Sequence, residues 1–175
     1  MYGYQTLKKI ICRQIRLCVA IALLFTIVTA DAQPNESGRL RMTLQEIIDA
    51  KATGSTAPGS SNSGAVQVIV IHGDPSKAGL YTILLKVAAH SKIAAHLHPD
   101  DRVGTVVSGT WYFGYGDKFD ESKLKKLPAG SIYSEAEGQN HFAMTGDEPV
   151  IAEITGYGPS GVTYVNPADD PQKKK

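Results

Sequence analysis

The chain has little cysteine, little tryptophan and no long apolar run. Its two cysteines, Cys12 and Cys18, fall among the first 18 of 175 residues, and Trp111 is the one tryptophan. No disulfide framework can hold the rest of the chain, so its stability must come from a hydrophobic core. A dominant charge is missing too, because 18 basic residues against 17 acidic ones give a formal +1. That balance offers no electrostatic footprint for nucleic acid or an anionic membrane. There is no Gly-Lys-Ser phosphate loop, and no serine or cysteine nucleophile with an organised base is visible. Gly156-Tyr-Gly158-Pro-Ser-Gly161 spells GxGxxG. Pro159 interrupts it, a strand-like run follows, and no room remains for the acidic residue of a dinucleotide site. It reads as a turn.

The one apolar run of note, Leu17 to Val28, is 12 residues long, short of the about 20 needed to span a bilayer. Lys8, Lys9, Arg13 and Arg16 precede it, and Ala30-Asp-Ala32 follows with the small-x-small form of a cleavage site. Residues 1–32 therefore read as a secretory signal peptide cut after Ala32, with an uncleaved tether as the alternative. The expected product is periplasmic or secreted and runs from Gln33 to Lys175, 143 residues without cysteine. Losing four basic residues and one acidic residue takes its formal charge to −2. A chain of this size can bury enough surface for one domain.

Residues 33–64 look peripheral. Thr43-x-x-Glu46 is a capping-box pattern, and Leu44, Ile47 and Ile48 would form a narrow apolar stripe on a helix ending near Lys51. Two turns are too short to be stable alone, so the helix should dock on the domain or on a second subunit. Ala52 to Gly64, rich in Ser, Gly and Thr, reads as a flexible linker. Residues 168–175 form a charged tail.

From Gly64 onward, short apolar runs alternate with turn residues. Val66–Ile71, Tyr81–Val87, Ile93–His98, Val103–Val107, Thr110–Tyr115, Ser131–Tyr133, His141–Met144, Val150–Thr155 and Val162–Val165 all read as strands. Gly73-Asp-Pro75, Ser108-Gly109, Pro128-Ala-Gly130 and Gly146-Asp147 separate several of them. One helical turn is expected over Asp120–Lys126, with Asp120 as its N-cap. Many short strands at close spacing predict one antiparallel sandwich or barrel over residues 65–167.

His96 and His98 are the chemical landmark. Two apart on a strand, their side chains share a face with Cα atoms about 6.6 Å apart, a chelating arrangement. His141 opens another strand-like run and makes a third imidazole available. Such a set suits Fe, Mn, Zn, Ni or Cu. His72 and His90 sit beside turn residues and read as surface or supporting groups.

The spacing of these residues resembles the two motifs of the cupin family. His96-Leu-His98, Arg102 and Gly109 have the layout of the first; Gly130, Ala136-Glu-Gly138 and His141 have that of the second, with Ala136 at the usual proline. The resemblance covers Val66 to Pro167. The wording at 72–76, 108–112, 116–120, 127–131 and 164–167 is similar to small single-domain bacterial cupins, many without an assigned reaction. The resemblance implies an all-β double-stranded β-helix, a jelly-roll barrel with a short N-terminal helix, and a metal held inside by His, His, Glu and His. His96, His98 and His141 carry over. The acid does not, because Arg102 stands in its place and a guanidinium has no lone pair to give.

Three outcomes stay open at that position: a three-His site with extra open positions, a carboxylate from Asp101, or a degenerate site. Arg102 itself is either a surface partner of Asp100 or Asp101, or a pocket clamp for a substrate carboxylate. Gln139 shares the expected inward face of His141, and Tyr112 is a candidate for the interior. Val150, Ala152 and Ile154 make the expected core face of their strand, which turns Glu153 to solvent; turned inward, Glu153 would be an acid–base group or a late fourth ligand. Two functions follow. One is metal-dependent chemistry on a small, anionic organic molecule, such as dioxygenation, isomerisation or lysis. The other is a binding or sensing module without turnover. A homodimer is expected from the habit of cupins to pair through their sheets.

Overall fold

In a computed structural model, residues 39–52, 58 and 60–173 are described. The expected signal peptide, about half of the Ser/Gly-rich linker and the last two lysines lie outside them. Among the described residues no helix is long and apolar enough to cross a membrane.

Among the described residues, ten strands form two antiparallel five-stranded sheets. In chain order they are β1 (Val66–His72), β2 (Gly79–Val87), β3 (Lys92–Leu97), β4 (Arg102–Ser108), β5 (Thr110–Tyr115), β6 (Lys125–Pro128), β7 (Ile132–Glu135), β8 (His141–Thr145), β9 (Val150–Gly158) and β10 (Thr163–Tyr164). One sheet has the order β1-β2-β9-β4-β7, the other β10-β3-β8-β5-β6. The hydrophobic core lies between them and draws Val66, Val68, Tyr81, Ile83, Leu85 and Ile154 from the first, Ile93, Trp111, Phe113, Leu127 and Ala143 from the second. Strand alternation sets this up: along β9, Val150, Ala152 and Ile154 are buried while Ile151, Glu153 and Thr155 are not.

Three expectations are corrected. The helical turn expected to run to Lys126 stops early: a 3-10 turn covers Glu121–Lys123, capped by the Asp120 side chain. Lys125–Pro128 then becomes β6, paired along β5 with Trp111 opposite Leu127; the free edge of β5 outweighs a weak local helix preference. Second, β9 runs on through Gly156 and Gly158, so the first half of the GxGxxG stretch is strand, not turn. A Cβ on Gly156 would stand 2.6 Å from the Tyr81 hydroxyl and 2.9 Å from Asp100 Oδ2, so the glycine makes room for that buried pair.

Third, the peripheral helix α1 spans Leu44–Asp49 with the expected capping box, but none of its residues is buried. Leu44 and Ile48 remain exposed. It is tied down by polar contacts instead: Lys86 Nζ donates to the Ile48 and Ala50 carbonyls at 2.6 and 2.7 Å, a cation on the negative end of the helix.

Candidate metal centre

The histidines reach one place because β3 is irregular. Ile93 pairs with Ala143, yet His96 pairs with His141, a shift of one residue between them. Ile93 and Ala95 point into the core, and without the bulge the same alternation would turn His96 outward. The extra residue re-aims the strand, so His96 and His98 are also buried, beside His141 on β8. Each offers one ligand atom, and the three atoms lie within 4.8 Å of one another.

Their orientation is held by the backbone. His96 Nδ1 bonds the Ala94 carbonyl at 2.8 Å, His141 Nδ1 the Gln139 carbonyl at 3.0 Å, and His98 Nδ1 the Gly161 carbonyl. A carbonyl only accepts, so each Nδ1 carries the proton and each Nε2 keeps a bare lone pair. Burial holds all three rings below the usual imidazole range, His96 at about 3, with the neighbouring His141 adding to the effect there and Arg102 at His98. They are neutral at pH 7. His98 Nε2 and His141 Nε2 are buried with no hydrogen-bond partner. A divalent metal fits such a set: three neutral imidazoles, lone pairs converging, and donors behind them fixing tautomer and direction.

Arg102 is neither a surface residue nor aimed at solvent. It is buried at the start of β4, opposite Glu135 of β7 in the strand register. Its Nε donates to Glu135 Oε2 at 2.8 Å, and its Nη2 bonds the same oxygen. The guanidinium also donates to the Tyr81 hydroxyl oxygen, and that hydroxyl in turn donates to Asp100 Oδ2 at 2.7 Å, with Ser160 Oγ donating to the other Asp100 oxygen at 2.7 Å. Burial by itself would raise the Glu135 carboxyl, but the Arg102 charge and its hydrogen bond outweigh it and hold the group well below the usual carboxylate range. Glu135 Oε2 also stands 3.6 Å from His98 Nε2 and 3.7 Å from His141 Nε2.

The other candidates from the sequence are not brought to this place. Asp101 is exposed, its carboxylate accepting from the Glu137 amide at 2.9 Å. Asp100 accepts from Tyr81 and Ser160. Glu153 lies on the outer face of β9, where Thr155 Oγ1 donates to it at 2.6 Å. The Gln139 side chain is exposed, and that residue serves His141 through its carbonyl. Tyr112 faces away from buried Trp111 and Phe113 on β5 and comes near Gly146. Each follows from strand parity or a turn that sequence spacing does not fix. Glu135, which the sequence reading missed, had one available signal: Tyr133 and Glu135 share a face, and an aromatic core residue two positions before a glutamate marks that glutamate as inward.

A cleft of about 530 Å³ opens between β6 and β7, the edge strands of the two sheets, with Lys123 and Lys125 on its lining. It does not include the histidines. Phe113 and Tyr133 line it, their ring centroids 4.5 Å apart, and Phe113 stacks on His141 with centroids 5.3 Å apart. Phe113 thus stands between the cleft and His141. Tyr133 Oη and Trp111 Nε1 are buried without hydrogen-bond partners.

Solved structures with a similar fold exist. The polyketide cyclase RemF from Streptomyces resistomycificus superposes with a TM-score of 0.58 at 16% identity, over 76% of this chain and 89% of that one. An uncharacterized protein with a double-stranded β-helix domain from Klebsiella pneumoniae gives 0.53 at 22% identity, over 74% and 93%. The fold is the double-stranded β-helix of the cupins. No protein-family model matches the sequence, and no curated protein does. The cupin likeness is thus one of fold, and the chemistry must be argued from the site.

Proposed function

We propose that this chain is an exported single-domain cupin that holds one divalent metal ion on His96, His98 and His141 and acts on a small, anionic organic molecule. One observation carries the reading: three buried imidazoles present bare Nε2 atoms to a common point, each fixed from behind by a backbone carbonyl. Buried polar atoms left unpaired are costly, and a cation is what would satisfy these. When bound, the metal would supply Lewis acidity, or redox chemistry if it is iron or copper. Fe, Mn, Zn, Ni and Cu all accept such ligands.

The preference for an anion is a charge argument. Three neutral imidazoles add nothing, and Arg102 and Glu135 cancel, so a divalent ion would bring its full +2 into a low-dielectric interior. Lys123 and Lys125 on the neighbouring cleft have the same sign. Arg102 is engaged by Glu135 and Tyr81, so the charge that would meet an anion is the metal's and the lysines'. Phe113 and Tyr133 form an apolar wall that keeps water off the His141 side. Dioxygenation or isomerisation suits such a centre.

The test is metal content and ligand response. Protein loaded anaerobically with each metal in turn should hold near one equivalent, and His98→Ala should lose it; equal content in the variant refutes the assignment. Thermal-shift screening of carboxylic acids on the loaded protein, with oxygen uptake by the iron form, then separates an enzyme from a binding module.

A further inference from the structure

The usual carboxylate position of the barrel is held by Arg102, yet a carboxylate faces the histidines all the same. It comes from the next strand. Arg102 on β4 and Glu135 on β7 are direct cross-strand partners, so exchanging acid and base across that pair moves the carboxylate sideways by one strand, about 4.8 Å, and leaves it facing the same interior.

Three lone-pair groups then face one another with nothing to donate among them, and His96 stands beside the two imidazoles. His98 Nε2 and His141 Nε2 are bare because their Nδ1 atoms carry the protons, and Glu135 Oε2 lies 3.6 and 3.7 Å from them. Those separations are too long for hydrogen bonds. They are close to the edge of a tetrahedron whose corners sit about 2.1 Å from a central ion, about 3.4 Å. If Glu135 were present only to neutralise Arg102, nothing would require its oxygen to face two unpaired imidazole nitrogens.

We infer that Glu135 is the fourth ligand of the metal centre, with Arg102 as a positioning residue that fixes its carboxylate. The inference rests on the proposal that His96, His98 and His141 hold a metal. Arg102 orients Oε2 through Nε and Nη2, and is itself held by Tyr81, which is anchored on Asp100. The family's acid and this chain's acid thus serve one centre from different strands.

Cobalt(II) is the probe, added to metal-free protein, with affinity read by competition against a chromophoric chelator and coordination read from the visible absorption of bound cobalt. The wild type should bind one equivalent. Glu135→Gln should raise Kd by about tenfold or more and change the cobalt spectrum, while Glu153→Gln, outside the barrel, should alter neither. A Glu135→Gln protein with wild-type Kd and spectrum overturns the inference and leaves the three-histidine reading intact. Failure of the wild type to bind cobalt overturns both.

Because Glu135→Gln strands a buried guanidinium, the exchange variant Arg102→Glu/Glu135→Arg is measured beside it. It restores the pair with the acid on β4, and should bind cobalt more tightly than the double variant Arg102→Met/Glu135→Gln, which has no charge at either position. Equal affinity in those two would count against a ligand role for the carboxylate.

Discussion

Lowering pH should destabilise the metal-free protein through its histidines, and His96 allows the size of the effect to be worked out. Its ring is buried beside His141, and its folded-state pKa lies near 3 against about 6.5 for a free imidazole. A group whose folded pKa is depressed takes up its proton first in the unfolded chain. Stability is therefore fully present above about pH 6.5 and is lost as pH falls toward about 3. Between pH 7.5 and 5.5 the ratio of the two binding polynomials changes about tenfold, which is on the order of 1 kcal/mol from His96 alone. At pH 4.5 the loss reaches about 2–3 kcal/mol, a large share of a stability of about 5–15 kcal/mol. His98 and His141 are shifted in the same direction and add to it. Glu135 titrates below the usual carboxylate range and adds its own loss only in stronger acid. The assay is urea unfolding in the presence of chelator at pH 7.5 and 5.5, for the wild type and His96→Gln. The variant should lose about 1 kcal/mol less than the wild type over that interval. An identical loss in both proteins would mean that His96 is not held neutral by burial.

Two further outcomes test the packing around the centre. Arg102→Met leaves the Glu135 carboxylate buried without its cation and should cost the metal-free protein about 3–5 kcal/mol, seen as a lower urea midpoint and partly recovered by adding divalent metal; an unchanged midpoint would refute the pairing. Gly104→Ala would place a Cβ 2.3 Å from the Tyr133 ring and should destabilise by about 1–3 kcal/mol; a Tyr133→Leu background should relieve the penalty, and a penalty that persists there would show that the ring is not its cause.

What could be read from the sequence was what depends on local periodicity. Short apolar runs set apart by Gly, Pro and Asp turns announced an all-β domain, and the spacing of His96, His98 and His141 announced a possible metal site within it, because strand alternation is a local rule. The face taken by Glu153 followed from the same rule, since Val150, Ala152 and Ile154 already claimed the core side of β9. Wherever a tertiary partner overrides local preference, the sequence was silent or misleading. Lys125–Pro128 is strand because β5 offers an edge. His96 is inward because β3 carries a bulge before it. Gln139 and Tyr112 carry pocket-like chemistry but point elsewhere.

The arginine at the carboxylate position marks the boundary between the two. By itself the sequence determined that Arg102 cannot be a ligand, since a guanidinium has no lone pair. Only the tertiary structure decided where a carboxylate comes from. Arg102 and Glu135 are 33 residues apart in the chain and become neighbours only because β4 and β7 pair, and that register, set by the packing of two sheets, is written in no single stretch of residues.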